Sequence, residues 1–409
     1  MHTIAATALF MLLACHPQLT EPDDSEAPQP DDSQPDDTGP VPLTLSADFD
    51  SGRVGSALIE GDHVRLTLNT VTMVNTLATY AYWTHFSLAG AADKSITLDI
   101  EGVDGNTFFG RHADDSRMVV SCDGTTWERL PAPTWRDEHG GTYSVTWAPA
   151  CDTPRIATFF PFNYTEMLAW TDEVSRHPEA TLEQAATSDQ GREIRLLTIT
   201  DPGSPASDKR HIFILGRQHS GETAGTWELV GLVEFLLSGE AEAQALLQGF
   251  VWHIVPMLNP DGVYLGYSRA TSELRDPNAD WDNEASVEVV QIRALVEDLR
   301  RGPGLDLVLD WHNQVNESRG HDFVYSPAGN TFFDVLSLWT SFDDQAASGA
   351  SSCTFVDCSF RGWTMTNVLY DPMFVMEPCP HLSAWTIASL REQGMLTARA
   401  VGAWFQGQP

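Results

Sequence analysis

The residues best suited to chemistry are a histidine and a carboxylate three positions apart, His219 and Glu222. An apolar run of strand type, residues 211–215, precedes them, and from Thr223 the apolar residues recur with helical spacing. The pair is therefore predicted where a strand ends and a helix begins. In open α/β sheets the loops at the carboxyl ends of strands form the ligand crevice. Imidazole and carboxylate groups in such a crevice suit a zinc ion.

Three further motifs follow in order along the chain: Asn259-Pro-Asp-Gly262 with Arg269 seven residues beyond it, Trp311-His312-Asn313 after a third apolar run, and Phe374-Val-Met-Glu377. Together the four motifs resemble the zinc metallocarboxypeptidase family, and its cytosolic carboxypeptidase-like branch most closely. The resemblance begins as early as residues 49–52 and continues through residues 160–165.

The resemblance implies one zinc ion per chain, bound by His219, Glu222 and His312. Two histidines and one carboxylate leave a fourth position for water, which is typical of catalytic zinc sites. The implied reaction is hydrolysis of a peptide or amide bond by a metal-activated water. Asp276 matches the carboxylate that orients a zinc-bound histidine, here His219.

The resemblance also implies catalytic and substrate-binding groups. Glu377 matches the general base that takes the proton of the water. Arg269 matches the group that stabilises the oxyanion and contacts the substrate, and Asn278 matches a substrate-binding position. The family has an arginine at the next position, where it binds the terminal carboxylate of the substrate. This chain has Ala279 there, and a methyl group cannot make a bidentate bond to a carboxylate.

Specificity for a terminal carboxylate is therefore in doubt, although Arg275, Arg319 or Arg361 could supply the missing cation from elsewhere. Two alternatives to a metallocarboxypeptidase stay open. One is a zinc amidohydrolase that acts on cell-wall peptides or N-acyl amino acids. The other is a catalytically silent surface-binding module that keeps the fold. The intact candidate ligands favour an enzyme, and Ala279 favours the alternatives.

Length and patterning bound the fold. The 409 residues contain 42% hydrophobic residues, enough for a substantial core. Residues 44–158 show short alternating runs between turn signals, which predict a small antiparallel β-sandwich. In residues 159–409 strands alternate with helices, which predicts a zinc carboxypeptidase-like catalytic domain with a mixed, mostly parallel sheet flanked by helices. We expect helices at residues 165–175, 180–187, 286–301 and 382–405.

Charge limits the partners. The net charge of −34 excludes nucleic acid as a plausible partner and disfavours a strongly acidic substrate. A peptide or amide substrate remains, and the oligomeric state does not follow from the sequence.

The amino terminus predicts export. Residues 3–14 are apolar, too short to span a bilayer, and end at Cys15. Residues 1–15 resemble a bacterial lipoprotein signal in which Cys15 is acylated, although the start lacks Lys and Arg. An ordinary secretory signal or a misassigned start are the alternatives. Residues 16–43 are rich in Pro and Asp and predict a disordered acidic linker. The chain is then secreted across the inner membrane and lipid-anchored in the cell envelope, at the outer membrane or in the periplasm.

The five cysteines after Cys15 suit an oxidising compartment. Cys122 could pair with Cys151, and Cys353 with Cys358, which would leave Cys379 over. The connectivity stays open because sequence alone cannot determine it.

Overall fold

The computed structural model divides the chain into two compact units, residues 1–41 and 42–409. It describes residues 41–104, 116–282, 285–313, 323–325, 331–340, 343–344, 373–377 and 385–407. Several positions singled out above lie outside the described residues: Cys15 with its signal and most of the linker, Arg319, Cys353, Cys358, Arg361 and Cys379.

Twelve strands come first among the described residues, and all are short. They are β1 (Thr44–Ser46), β2 (Ala57–Glu60), β3 (His63–Thr67), β4 (Val71–Thr72), β5 (Thr79–Tyr80), β6 (His85–Ala89), β7 (Ile96–Glu101), β8 (Val119–Ser121), β9 (Glu128–Arg129), β10 (Thr134–Arg136), β11 (Thr142–Trp147) and β12 (Arg155–Ala157).

These strands form two five-stranded sheets, ordered β1-β6-β12-β8-β9 and β10-β11-β7-β3-β2, and a β4-β5 hairpin. One core contains residues of both sheets, among them Leu66 and Leu98 from one and Phe86 and Ile156 from the other. The predicted β-rich domain is therefore present as a sandwich. One pair, β3 with β7, is parallel. Between β3 and β7 the chain passes into the other sheet as β6. It therefore enters β7 in the same direction as β3.

The larger region contains eight strands and seven α-helices among the described residues. The strands are β13 (Ala180–Thr187), β14 (Glu193–Ile199), β15 (Arg210–Gly216), β16 (Phe250–Val255), β17 (Leu307–Trp311), β18 (Phe323–Tyr325), β19 (Asp343–Asp344) and β20 (Met373–Glu377). The helices are α1 (Tyr164–Val174), α2 (Ala224–Leu236), α3 (Ala241–Gly249), α4 (Pro260–Tyr264), α5 (Val287–Arg301), α6 (Phe332–Trp339) and α7 (Ile387–Gln406). Three-residue 3-10 turns occur at Glu138–Gly140, Ala206–Asp208 and Pro277–Ala279.

The eight strands form one mixed sheet in the order β13-β14-β16-β15-β17-β20-β18-β19. Its centre is parallel, since β16, β15, β17 and β20 run in one direction. Strands β15, β16 and β17 are buried almost throughout, as expected for strands covered on both faces. The predicted mixed α/β fold is thus confirmed, and the carboxyl ends of β15, β17 and β20 meet at one edge.

One predicted helix is wrong. Residues 180–187 are rich in Ala, Leu, Glu and Gln, which favour helix, yet they form β13 and pair antiparallel with β14 along their length. The turn between the two strands is tight, with Ser188 N–H donating to the Arg192 carbonyl. Helix propensities differ by only about 0.7 kcal/mol per ordinary residue, so pairing and burial at a sheet edge outweigh them. The helices predicted around residues 165–175, 286–301 and 382–405 are confirmed as α1, α5 and α7.

Helices α2 and α7 approach so closely that only glycine fits at the crossing. A Cβ on Gly394 would lie 1.7 Å from the Glu228 carbonyl oxygen, and one on Gly231 would lie 1.9 Å from that of Arg391. Because α2 begins directly after Glu222, this contact fixes the helix that carries one side of the candidate site.

Cys122 and Cys151 form a disulfide within the β-sandwich. No helix in the described part of the chain has both the length and the apolar character needed to cross a membrane.

Candidate metal centre

Two parallel strands and one helix start bring the three predicted ligands together. His219 and Glu222 lie in the loop between β15 and α2, and His312 directly follows β17. Since β15 and β17 are neighbours and parallel, their ends lie side by side. The amide oxygen of Asn313 accepts hydrogen bonds from Ala224 N–H and Gly225 N–H at 2.8 and 3.3 Å, which joins the end of β17 to the first turn of α2.

The donor atoms of the three side chains lie at hydrogen-bond distance from one another. His219 Nδ1 is 2.8 Å from Glu222 Oε1, His312 Nδ1 is 2.9 Å from Glu222 Oε2, and the two Nδ1 atoms are 3.0 Å apart. All three residues are buried. Two imidazole nitrogens and a carboxylate that face one point are a donor set that fits a single zinc ion. No other three His, Cys, Asp or Glu side chains among the described residues are grouped in this way.

Each histidine is held from behind by its own buried carboxylate. His219 Nε2 lies 3.2 Å from Asp276 Oδ1, and His312 Nε2 lies 3.1 Å from Asp310 Oδ2. A carboxylate on the outer nitrogen fixes the imidazole tautomer with its proton on Nε2, so that Nδ1 is free to bind a metal. Both histidines thus have the arrangement that supports a metal-binding imidazole.

The predicted partner of His219 is the one found, whereas Asp310 was not predicted. The signal was present in the sequence, because Asp310 stands two residues before His312 in an extended segment and alternate residues of a strand share a face. Gln218 holds Asp310 in turn, since its amide Nε2 lies 2.9 Å from both carboxylate oxygens. Trp281 Nε1 donates to Gln218 Oε1 at 2.9 Å, which fixes the amide orientation.

The electrostatics of the cluster favour a cation between the ligands. Burial alone would raise the pKa of Glu222, but His219 and His312 more than offset it and hold that pKa below its ordinary value. Burial alone would lower the pKa of His312, whereas Asp310 and Glu222 raise it well above the ordinary value. The carboxylates therefore stabilise positive charge at this point, as either a proton or a metal ion.

Arg269 is bound into the same cluster. Its Nε donates to Asp276 Oδ2 at 2.7 Å, its Nη1 lies 3.9 Å from Glu222 Oε1, and its guanidinium carbon stands 5.1 Å from the centre of the Tyr80 ring. Burial alone would raise the pKa of Asp276, but Arg269 and His219 hold it below the ordinary range. The structure therefore places Arg269 beside the candidate metal ligands.

Asn278 also lies at the site. Its backbone N–H donates to Asp276 Oδ1 at 3.1 Å, and its amide nitrogen is 3.4 Å from His312 Nε2. Ala279 follows in the Pro277–Ala279 turn and is buried. Arg275 does not replace the missing arginine, because its Nε and Nη2 bind both carboxylate oxygens of Asp280 at 2.6 and 2.8 Å.

Glu377 is placed by its backbone. It ends β20, which runs parallel to β17 with Trp311 opposite Met376, and His312 N–H donates to the Met376 carbonyl at 2.9 Å. Glu377, the last residue of β20, and His312, directly after β17, therefore lie at the ends of neighbouring strands at the same edge of the sheet. The side chain of Glu377 lies outside the described residues.

A buried arginine supports the loop that carries His219. Arg217 adopts a left-handed conformation with φ of 55°, which turns the chain sharply as it leaves β15. Its guanidinium donates to the carbonyl oxygens of Ser220 and Phe162 at 2.9 and 3.1 Å. Burial lowers the pKa of Arg217 to about 10. Sequence reasoning missed this residue.

The β-sandwich domain closes one side of the site. The ring of Tyr82 lies against the His219–Glu222 loop, where a Cβ on Gly221 would come within 2.8 Å of it. The backbone N–H groups of Tyr82 and Trp83 both donate to Ser268 Oγ, at 2.9 and 3.0 Å. Burial and then the charge of Glu222 raise the pKa of the Tyr82 hydroxyl well above 10. No sequence signal linked Tyr82 to the metal ligands, because this contact joins separate domains.

A strand-end cluster of two histidines and one glutamate, each histidine with a carboxylate behind it, is a group that could hold a metal ion with a coordination position left open. Residues 167–328 match the zinc carboxypeptidase family model, and residues 45–159 match the cytosolic carboxypeptidase N-terminal domain model. Over residues 167–328 the chain is therefore similar to zinc carboxypeptidases, and over residues 45–159 it is similar to the N-terminal domain of cytosolic carboxypeptidases.

Relatives similar to this chain include cytosolic carboxypeptidases. Cytosolic carboxypeptidase 6 of Mus musculus is 31% identical over 234 residues, which are 53% of this chain and 42% of that protein. Cytosolic carboxypeptidase 2 of Danio rerio is 35% identical over 150 residues, 34% of this chain and 21% of that protein. The chain thus spans under half the length of these relatives.

A solved structure of a metallo-carboxypeptidase from Burkholderia cenocepacia has the same fold, with a TM-score of 0.77 at 22% identity over 90% of this chain and 99% of that one. A metallo-carboxypeptidase from Pseudomonas aeruginosa gives a TM-score of 0.74 at 23% identity, over 89% of this chain and 99% of that one. The likeness covers both the β-sandwich and the mixed-sheet region.

The carboxylate behind His312 is open to a direct test. Changing Asp310 to Asn should weaken zinc affinity roughly 10- to 100-fold, because the amide is a poorer acceptor for the Nε2 proton of His312. Competition with a fluorescent chelator measures the affinity. Asp306→Asn is the matched control. Asp306 directly precedes β17, at the opposite end of that strand from His312, and it binds Arg210 and His211 N–H. Equal zinc affinity in Asp310→Asn and the unchanged protein would contradict the assignment.

Proposed function

We propose that this chain is a zinc-dependent peptidase of the metallocarboxypeptidase type, which hydrolyses a peptide or amide bond. The observation that carries the proposal is the convergence of His219 Nδ1, Glu222 and His312 Nδ1 within 2.8–3.0 Å of one another. The family match supports it. A bound zinc ion would supply Lewis-acid polarisation of the scissile carbonyl and lower the pKa of a water to about 7.

The residues around that ion have different roles. His219, Glu222 and His312 hold one zinc ion, and Asp276 and Asp310 orient the two imidazoles. Glu377 accepts the proton of the attacking water and passes it to the leaving amine. The support for this role is its backbone position beside His312 at the sheet edge.

Arg269 and Asn278 act on the substrate. Only the Nε–H of Arg269 is bound by Asp276, and a guanidinium carries five N–H donors. The others can stabilise the oxyanion that develops on the scissile carbonyl. Asn278 adjoins both Asp276 and His312 and offers its amide to the substrate.

A second candidate, a zinc amidohydrolase that does not require a terminal carboxylate, is favoured by one observation. Position 279 carries a buried methyl group, and the neighbouring Arg275 is committed to Asp280. A carboxylate that enters such a pocket without a cation loses hydration worth several kcal/mol. Cell-wall peptides and N-acyl amino acids would fit such a site if any free carboxylate lay outside this pocket.

We also propose that the protein is exported and held in the cell envelope by a lipid on Cys15. The lipoprotein-type pattern of residues 1–15 supports it. The Cys122–Cys151 disulfide supports an oxidising compartment.

The lipid anchor predicts metabolic labelling. Cells that express the chain with a clickable fatty acid should label the protein, and Cys15→Ser should abolish the label while Cys379→Ser should not. The labelled protein should also be found in the membrane fraction. Label that survives Cys15→Ser would place any lipid elsewhere.

The general base predicts a separation of metal binding from turnover. Glu377→Gln keeps the shape of the side chain and removes the base, so zinc should remain bound while kcat falls roughly 10²- to 10⁴-fold. Zinc content and hydrolysis should be measured on one preparation. His219→Ala is the informative comparison, since it should lose both zinc and activity. Undiminished hydrolysis by Glu377→Gln would show that another group handles the proton.

The missing arginine predicts weak selection for free-acid peptides. Because Ala279 offers no charge-assisted partner, the ratio of kcat/KM for a peptide as free acid to that for its C-terminal amide should be small. Ala279→Arg should raise that ratio by restoring a bidentate donor. Ala279→Gln is the control for side-chain length without charge. A large preference for the free acid in the unchanged protein would show a cation elsewhere in the pocket.

A further inference from the structure

The β4-β5 hairpin of the sandwich reaches the segment that carries Asp276. Its loop residue Asn75 donates from Nδ2 to the Asp276 carbonyl at 2.9 Å and accepts from Asp276 N–H at Oδ1, also at 2.9 Å. The same Nδ2 donates to Asp280 Oδ1 at 3.0 Å. One side-chain amide therefore holds both backbone polar groups of Asp276, 201 positions further along the chain.

The rest of the hairpin loop is bound to the same segment. Val74 N–H donates to the Leu274 carbonyl at 2.8 Å. Val71 and Met73 pack with Ala270, and Leu274 packs against that cluster. The contact is thus a continuous, partly apolar interface, with Asn75 at its polar end.

The position of the Asp276 backbone determines what its side chain can do. Oδ1 faces His219 Nε2 and accepts from Asn278 N–H, while Oδ2 accepts from Arg269 Nε at 2.7 Å. Both oxygens have fixed partners on different segments. A small displacement of the backbone would lengthen the contact with the candidate metal ligand His219.

We propose that Asn75 is a positioning residue of the metal centre, which acts through Asp276 to orient His219. The N-terminal sandwich is then a structural part of the zinc site. The inference rests on the proposed function, because it presumes that His219 binds zinc. One planar side-chain amide, with a donor and an acceptor, matches the C=O and N–H of one residue.

The chemistry of position 75 predicts a graded series. Asn75→Ala removes all three hydrogen bonds. Asn75→Asp keeps an acceptor for Asp276 N–H, loses the donor, and brings a negative charge to Asp280. Asn75→Ser is a milder change that keeps a small polar group and serves if the other variants fold poorly. Asn69→Ala is the matched control, because the Asn69 amide accepts from Arg53 within the sandwich.

The experiment measures zinc affinity by chelator competition on full-length protein, with the melting temperature of the zinc-free form recorded in parallel. Asn75→Ala and Asn75→Asp should bind zinc about 10-fold more weakly, in the range seen for loss of a group that orients a ligand. Asn69→Ala should retain the affinity of the unchanged protein. A lower melting temperature with unchanged zinc affinity, in Asn75→Ala or Asn75→Ser, would overturn the inference.

A double-mutant cycle with Asp276→Asn tests the route of the effect. If Asn75 acts through Asp276, Asn75→Ala should weaken zinc binding in the Asp276 background and change it little in the Asp276→Asn background. Fully additive losses would show that Asn75 acts independently and would contradict the inference. Failure of the unchanged protein to bind zinc would instead contradict the proposed function itself, so the two failures are distinguishable.

Discussion

The constraint on which the site depends is the close approach of two imidazole nitrogens, His219 Nδ1 and His312 Nδ1, in a buried place. Two such nitrogens at 3.0 Å cannot both point lone pairs at each other without a cation or proton between them. Carboxylates at both outer nitrogens and Glu222 between the inner ones provide the negative charge that makes this arrangement stable. The chemistry follows from the same charges, because they favour a metal ion at that point.

Glycines around the site allow the segments that carry these groups to approach closely. A Cβ on Gly225 would lie 2.6 Å from the His312 carbonyl oxygen, and one on Gly262 would lie 2.2 Å from the Ala270 carbonyl oxygen. Asn259 cross-links the loop of His219 to the segment of Arg269, since its amide donates to the carbonyls of Gln218 and Ala270 at 3.2 and 2.9 Å. The Asn-Pro-Asp-Gly motif is therefore a structural brace for the site.

Local periodicity in the sequence predicted the mixed α/β fold and the β-rich domain before it, and the resemblance of its motifs to a known family predicted the set of His219, Glu222 and His312. It did not predict β13, since the pairing of residues 180–187 with β14 is a tertiary contact that overrides helix propensity. Asp310 could have been found from the alternation of a strand. Tyr82 and Asn75 could not have been found, because each lies far from the site along the chain. Tyr82 is 140 positions before Glu222, and Asn75 is 201 positions before Asp276.

Two independent features both disfavour a substrate with a free terminal carboxylate. At long range, a net charge of −34 opposes the approach of an anion. At short range, position 279 carries no guanidinium and that of Arg275 is paired with Asp280, so neither residue binds a terminal carboxylate. The net charge is a sum over many residues, whereas the missing cation in the pocket depends on one or two positions. The two features are therefore independent. The three candidate metal ligands lie together although position 279 carries no arginine, so the proposed hydrolytic chemistry and the recognition of a terminal carboxylate depend on different residues.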